Sequence, residues 1–173
     1  MKLRARVLAI SLTFCLASAN AITFGQTPAR ARTGTLVLAG DVPQPATWKV
    51  AELKMLPRTS VTATQEDGRK LMYEGVLVSE LLKRAGAITG SEPRGAALTT
   101  YVLAVANDGY QVLFSLPELD SAFSGHEIIV ADTVDGKPLA ESQGPLRIVP
   151  PRDTRGARSV RMVERLEVVR LRK

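Results

Sequence analysis

The stretch Gly75-Val76-Leu77-Val78-Ser79-Glu80-Leu81-Leu82-Lys83-Arg84-Ala85-Gly86 passes from a β-prone run into a helix and stops at a glycine. Ser79 is placed to cap the helix, with Glu80 in its first turn. Leu81, Leu82 and Ala85 form the inner face, and Gly86 supplies the left-handed stop. Upstream, Arg58 to Thr64 alternates Ser60, Thr62 and Thr64 against Val61 and Ala63, the period of a half-buried strand. Glu66-Asp67-Gly68-Arg69 turns it back into Lys70 to Tyr73. Downstream, Thr99 to Ala106 and Tyr110 to Phe114 flank Asn107-Asp108-Gly109 as a hairpin. Leu116 to Leu119 is one helical turn at most. Glu127 to Ala131 is an apolar strand, and Asp135-Gly136 is a second hairpin turn. Leu146 to Val149 is a strand between Gly144-Pro145 and Pro150-Pro151. Val160, Met162, Leu166 and Val168 form one face of a final strand, with Glu164 the exception and Arg161, Arg165 and Glu167 on the wet face.

Further out, Thr35 to Gly40 is a short strand, and Thr47 is placed to cap a short helix that Pro57 closes. Strands outnumber helices, so the fold class is α+β and β-rich, with two or three short helices. The chain of 173 residues fits one domain. Its first residues follow the order of a secretory signal peptide. Lys2, Arg4 and Arg6 precede an apolar run, Val7 to Ala19, and two A-x-A sites end at Ala19 and Ala21. The expected division is a signal peptide over 1–21, a flexible lead-in over 22–34 and one domain over 35–173. Localisation is then periplasmic or secreted, with no membrane span left after cleavage near Ala21.

Cleavage there removes Cys15, the one cysteine, and leaves a single histidine, His126. A disulfide framework and a cysteine/histidine zinc site are both excluded. The formal charge of +6 is unevenly spread. Residues 22–146 hold 11 basic and 14 acidic residues, whereas 147–173 hold nine and three. No Gly-x-Ser-x-Gly elbow, phosphate-cradling Walker loop or His-Glu-x-x-His is present. The basic end lacks the interleaved aromatics of single-strand binders, so no nucleic-acid partner is expected.

Several landmarks stand in order. Tyr73-Glu74-Gly75-Val76 leads into the Ser79–Gly86 helix, and Asp108-Gly109-Tyr110 forms a turn. Asp135-Gly136-Lys137-Pro138-Leu139 comes next, followed by Gly144-Pro145-Leu146-Arg147-Ile148-Val149-Pro150 and then Val160-Arg161-Met162-Val163. This series resembles the molybdopterin-binding domain of the sulfite oxidase superfamily across Leu36 to Val169. The resemblance implies a sulfite-oxidase-type fold and a molybdenum ion held by a pyranopterin dithiolene. It also implies a metal-ligating cysteine between the Leu-Pro helix and the Gly-Val stretch. Here Arg58 to Gly68 contains none, and the hydroxyls of Thr62 and Thr64 are poor ligands for a soft site. The family's histidine before the Gly-Pro segment is replaced by Ser142-Gln143, and its basic-aromatic pair appears as Arg161-Met162.

The cofactor-binding candidates are Arg147, Arg161, Arg158 and Tyr110. Arginine forks match phosphate oxygens two at a time, and Arg152 and Arg155 are placed to line the same mouth. Each has an ordinary alternative: a solvated arginine, or a hairpin tyrosine packed on its sheet. No catalytic residue and no protein metal ligand are named by the sequence. His126 reads as a surface residue without a partner for metal binding. The expected function is a secreted molybdopterin-binding-domain protein of oxidoreductase type. It holds a pterin or another anionic cofactor or small molecule, with redox catalysis weak or lost. The alternative is a non-catalytic, degenerate domain that serves as a binding or partner module for an envelope protein; the chain is also open to binding no cofactor.

Overall fold

The computed structural model describes residues 34–87 and 95–172. The signal-peptide reading and nearly all of the lead-in lie outside these residues. The first strand, β1 (Thr35–Gly40), buries Leu36 and Leu38 completely and leaves the residues between them half-exposed. Thr47 lies in a strand rather than at a helix cap: β2 (Ala46–Lys49) pairs antiparallel with β1, Val37 opposite Thr47. Ladder pairing outweighs the local helical preference there. The following helix, α1 (Val50–Leu53), begins where the Lys49 amide donates to Glu52 Oε2 at 2.7 Å.

β3 (Thr59–Thr64) buries Val61 and Ala63 and exposes Ser60, Thr62 and Thr64, as its alternation predicts. β4 (Lys70–Leu77) runs directly into α2 (Val78–Arg84). The helix starts one residue before Ser79, which is therefore inside its first turn and not its cap. Val78, Leu81, Leu82 and Ala85 are buried, and Gly86 ends the helix at φ +70°. β5 (Thr100–Ala106) and β6 (Gln111–Ser115) form the expected hairpin. α3 (Leu116–Leu119) is capped by Ser115 and Glu118, and α4 (Ser121–Ser124) by Asp120. β7 (Ile129–Val134) and β8 (Lys137–Pro138) are joined by Asp135 and Gly136, both at positive φ. β9 (Arg147–Val149) and β10 (Val163–Arg170) complete the chain.

The described strands form two sheets. One has the order β2-β1-β10-β5-β6, with β1 and β10 parallel. The other has the order β3-β4-β7-β8, and β9 also pairs with β7. The main core lies between the sheets and around α2, and includes Leu36, Leu38, Val76, Phe114, Ile148 and Leu166. A smaller cluster of Val61, Ala63, Tyr73, Ile129, Ala131 and Val149 covers the other face of the second sheet. The first half of β7 is thus buried on both sides, which explains the apolar run Ile128 to Ala131. The fold class is α+β and β-rich. Four short α-helices and two 3-10 turns are present among the described residues, where the sequence suggested two or three helices.

The last strand differs most from its sequence pattern. A bulge between Val163 and Arg165 puts Glu164 out of step, so the buried set is Val163, Leu166 and Val168. Met162 sits before the strand at φ +50° and is only half-buried. Arg161 therefore does not lie on the wet face of β10. It lies ahead of the strand, in an antiparallel bridge opposite Arg147. Among the described residues, no helix is long and apolar enough to cross a membrane.

Candidate functional site

The second face of the β3-β4-β7-β9 sheet opens into a cleft of about 350 Å³. Residues 63–69 of the β3-β4 hairpin form one wall, and the segment from Pro150 to Ser159 forms another. Tyr73, Arg147 and Arg161 also line it. Strand alternation decides which side chains face it. Ile148 points into the main core, so its neighbours Arg147 and Val149 point the other way.

Arg147 is 5% exposed. Its Nε donates to Ser159 Oγ at 2.8 Å, and its Nη1 donates to the Tyr73 hydroxyl at 3.2 Å and to Gln143 Oε1. The guanidinium also stands over the Tyr73 ring, 5.2 Å from its centroid. Ser159 in turn donates to the Ile148 carbonyl at 2.9 Å, so the hydroxyl is fixed as an acceptor for the arginine. Among the described residues no carboxylate pairs with Arg147, and no hydrogen bond engages its Nη2. Burial holds its pKa below that of a free guanidinium. The Tyr73 phenol opposes that shift and the Arg161 charge adds to it. A guanidinium stays charged even so.

Arg161 is the bridge partner of Arg147, and bridge partners project to the same side. Like charges directly opposite one another destabilise a pair of strands. Arg155, on the 150–159 wall, also lines the cleft, as does Arg69, on the hairpin wall. Glu66, Asp67 and Asp153 also line the cleft, and the last two are held in ion pairs. Asp67 pairs with Arg69 at 2.6 Å, and Asp153 pairs with Arg158 at 2.8 Å. The structure therefore brings Arg147, Arg161 and Arg155 together in one cleft.

The other two sequence candidates do not line this cleft. Arg158 turns away and forks onto Asp153 and onto Glu118, at 2.7 Å, with its guanidinium 5.0 Å from the Phe114 ring centroid. Those carboxylates hold its pKa above that of a free guanidinium, against the opposing effect of burial. The Tyr110 hydroxyl is engaged by the backbone of the 150–159 segment. It donates to the Ala157 carbonyl at 2.6 Å and ties the 150–159 segment to the hairpin. Arg152 donates to the Gly125 carbonyl at 3.0 Å, beside a second, more open groove that also touches Thr62 and His126. His126 Nδ1 lies 3.0 Å from the Ser124 carbonyl.

Sequence reasoning missed Tyr73, Gln143 and Ser159, which hold Arg147. The alternation of β4 places Tyr73 on the cleft face, but only the pairing of β4 with β7 and of β7 with β9 brings it beside Arg147. It also missed the ion pair between Arg58 and Asp132, whose N–O distances are 2.6 and 2.9 Å.

The donor set of the cleft separates the two halves of a molybdenum cofactor. Its arginines and neutral groups fit an anionic, hydrogen-bonding organic moiety. They do not fit a soft metal: no thiolate is present, Thr64 offers only a hydroxyl, and no cluster of three His, Cys, Asp or Glu side chains forms among the described residues.

Among curated proteins no match was found. A solved structure, that of the sulfane dehydrogenase SoxCD from Paracoccus pantotrophus, is similar at a TM-score of 0.64 and 20% sequence identity. The match covers 82% of this chain and 40% of that chain, so the likeness is one of fold over two-fifths of the larger protein. Residues 24–173 match the oxidoreductase molybdopterin binding domain family. With the two-sheet fold, the Gly144–Pro150 segment and the arginine cleft in place, the chain belongs to the oxidoreductase molybdopterin binding domain family.

Proposed function

We propose that this domain binds a phosphate-bearing pterin, or a small anion of the same chemistry, in the Arg147 cleft, and that it does so in the cell envelope. One observation carries the reading. Arg147 is buried, has no carboxylate partner among the described residues, and lies opposite a second arginine. A buried cation is costly unless an anion compensates it, and two opposed guanidiniums make that anion's place. Arginine forks give two parallel hydrogen bonds to a phosphate, and partial burial strengthens them. Tyr73, Gln143 and Ser159 orient the Arg147 fork, and Thr64 and Gln65 offer neutral partners to a flat heterocycle. The order of basic, apolar and small residues at the N-terminus supports an envelope location.

A bound molybdenum cofactor supplies oxygen-atom transfer in this family. This chain's own residues bind and orient an anion, and contribute no thiolate to a metal. Redox catalysis is therefore weak or lost on this reading, and ligand holding is the retained activity.

The test uses the full chain produced in a host that makes molybdopterin. Bound pterin is measured by fluorescence after oxidative release, and molybdenum by elemental analysis. Wild type is expected to carry pterin, and Arg147→Ala to lose at least about tenfold in affinity, the size of a charge-assisted hydrogen bond. Protein that is free of pterin and takes up neither added molybdopterin nor phosphate overturns the proposal. It would leave the alternative of an envelope partner module, in which Arg147→Ala changes nothing but stability.

A further inference from the structure

Asp153 lines the arginine cleft, yet its carboxylate is not paired with a cleft arginine. Arg158 Nε donates to Asp153 Oδ2 at 2.8 Å, and its Nη2 reaches Oδ1 at 3.4 Å. The same Nη2 donates to Glu118 Oε1 at 2.7 Å, and the guanidinium stacks on Phe114. Arg158 is thus held on three sides, by Asp153, by Glu118 of α3 and by Phe114 of β6. The carboxylate it grips sits in the same short segment as Arg155. Arg155 and Arg161 line the cleft with Asp153, and Arg147 lies beside Arg161. A free carboxylate at this position is a built-in competitor for the anion.

Resting on the anion-site reading above, we propose that Arg158 is a positioning residue that acts through Asp153. By binding that carboxylate, it keeps Asp153 from compensating the cleft arginines and leaves them open to a ligand anion. Tyr110 assists by holding the Ala157 carbonyl, and so fixes which way the segment faces. Arg158 does not touch the ligand. It sets the charge that the ligand meets. Asp153 and the arginine thus divide one ion-pair choice between two states: Asp153 with Arg158 and an open cleft, or Asp153 with a cleft arginine and a closed one.

The test is a double-mutant cycle on the full chain, with inorganic phosphate as the probe and binding followed by calorimetry. Arg158→Gln is expected to weaken phosphate binding about fivefold, the size of a half-exposed ion-pair contact. Adding Asp153→Asn to that variant removes the competitor and is expected to restore wild-type affinity. A role in folding alone would not produce this rescue, since the double variant lacks both halves of the latch. Asp153→Asn by itself folds with the Arg158–Glu118 contact intact, and is expected to bind phosphate at least as tightly as wild type. Unchanged binding in Arg158→Gln, or a double variant as weak as Arg158→Gln, overturns the assignment while leaving the anion site standing. Wild-type protein that does not bind phosphate, or binds it equally well as Arg147→Ala, overturns the anion site and this assignment with it.

Discussion

Replacing Arg58 with alanine tests how the second sheet is held to the segment that precedes it. Arg58 stands just ahead of β3 and forks onto Asp132 of β7, two strands away, at 2.6 and 2.9 Å. The Asp132 side chain is 2% exposed and the Arg58 side chain 31%. Thr133 Oγ1 donates to the same carboxylate at 2.6 Å. Burial alone raises the Asp132 pKa, but the hydrogen bonds from Arg58 and Thr133 and the Arg58 charge outweigh it, and the net direction is downward. Removing Arg58 strands a buried carboxylate, which costs about 3–5 kcal/mol. Partial exposure of the arginine puts the expected loss near the lower figure, about 3 kcal/mol. At about 2–4 °C per kcal/mol for a domain of this size, Tm falls by roughly 6–12 °C. The pH dependence follows from the sign of the shift. A native pKa below the unfolded value of about 3.9 means that Asp132 stabilises the fold above that pH. The contribution is lost as pH falls through the lower native value. The gap between wild type and Arg58→Ala is therefore widest at neutral pH and narrows in acid, starting where Asp132 of the variant, buried without its arginine, takes up a proton. Urea unfolding at pH 7 and in acid measures both. A loss under about 1 kcal/mol at pH 7, the worth of a surface pair, would refute the reasoning, as would a gap that widens in acid.

Two further stability predictions concern the frame of the cleft. A Cβ on Gly75 would lie 2.0 Å from the Val130 carbonyl oxygen and 2.6 Å from Ala131 Cα, at the bulge where β4 meets β7. Backbone atoms on both strands have no room to yield, so Gly75→Ala is expected to cost about 2–3 kcal/mol, read from the denaturant midpoint. Leu82→Ala removes a fully buried side chain of α2 from the main core. It is expected to cost about 2–5 kcal/mol by the same measurement, with phosphate binding unchanged in the fraction that remains folded.

The elements that local chemistry controls are legible in the amino-acid sequence. The Ser/Thr against Val/Ala alternation marks β3, Asp135-Gly136 marks a two-residue hairpin, and Gly86 marks the end of α2. In each case the deciding interaction lies within a few residues along the chain. The order of motifs also carries the family, because those motifs are the turns and strand starts that the two sheets require. Misplaced features are those where a distant strand competes with a local preference. Thr47 is drawn into a ladder with β1, and α2 begins before Ser79 because β4 feeds straight into it.

For the site, the sequence determined which charges exist: no thiolate past residue 15, and an excess of arginine after residue 146. It did not determine which arginines are free. Arg147, Arg158 and Arg161 are chemically alike along the chain, and their roles depend on what lies across from them. Arg158 meets Glu118 from 40 residues away and is consumed as a latch, whereas Arg147 meets Tyr73 from 74 residues away and stays uncompensated. Arg161 lies ahead of β10, next to Met162 at positive φ, in its bridge with Arg147. Local sequence sets propensity and composition, but the pairing of charges follows from strand register, and strand register is settled only when the two sheets close over their core.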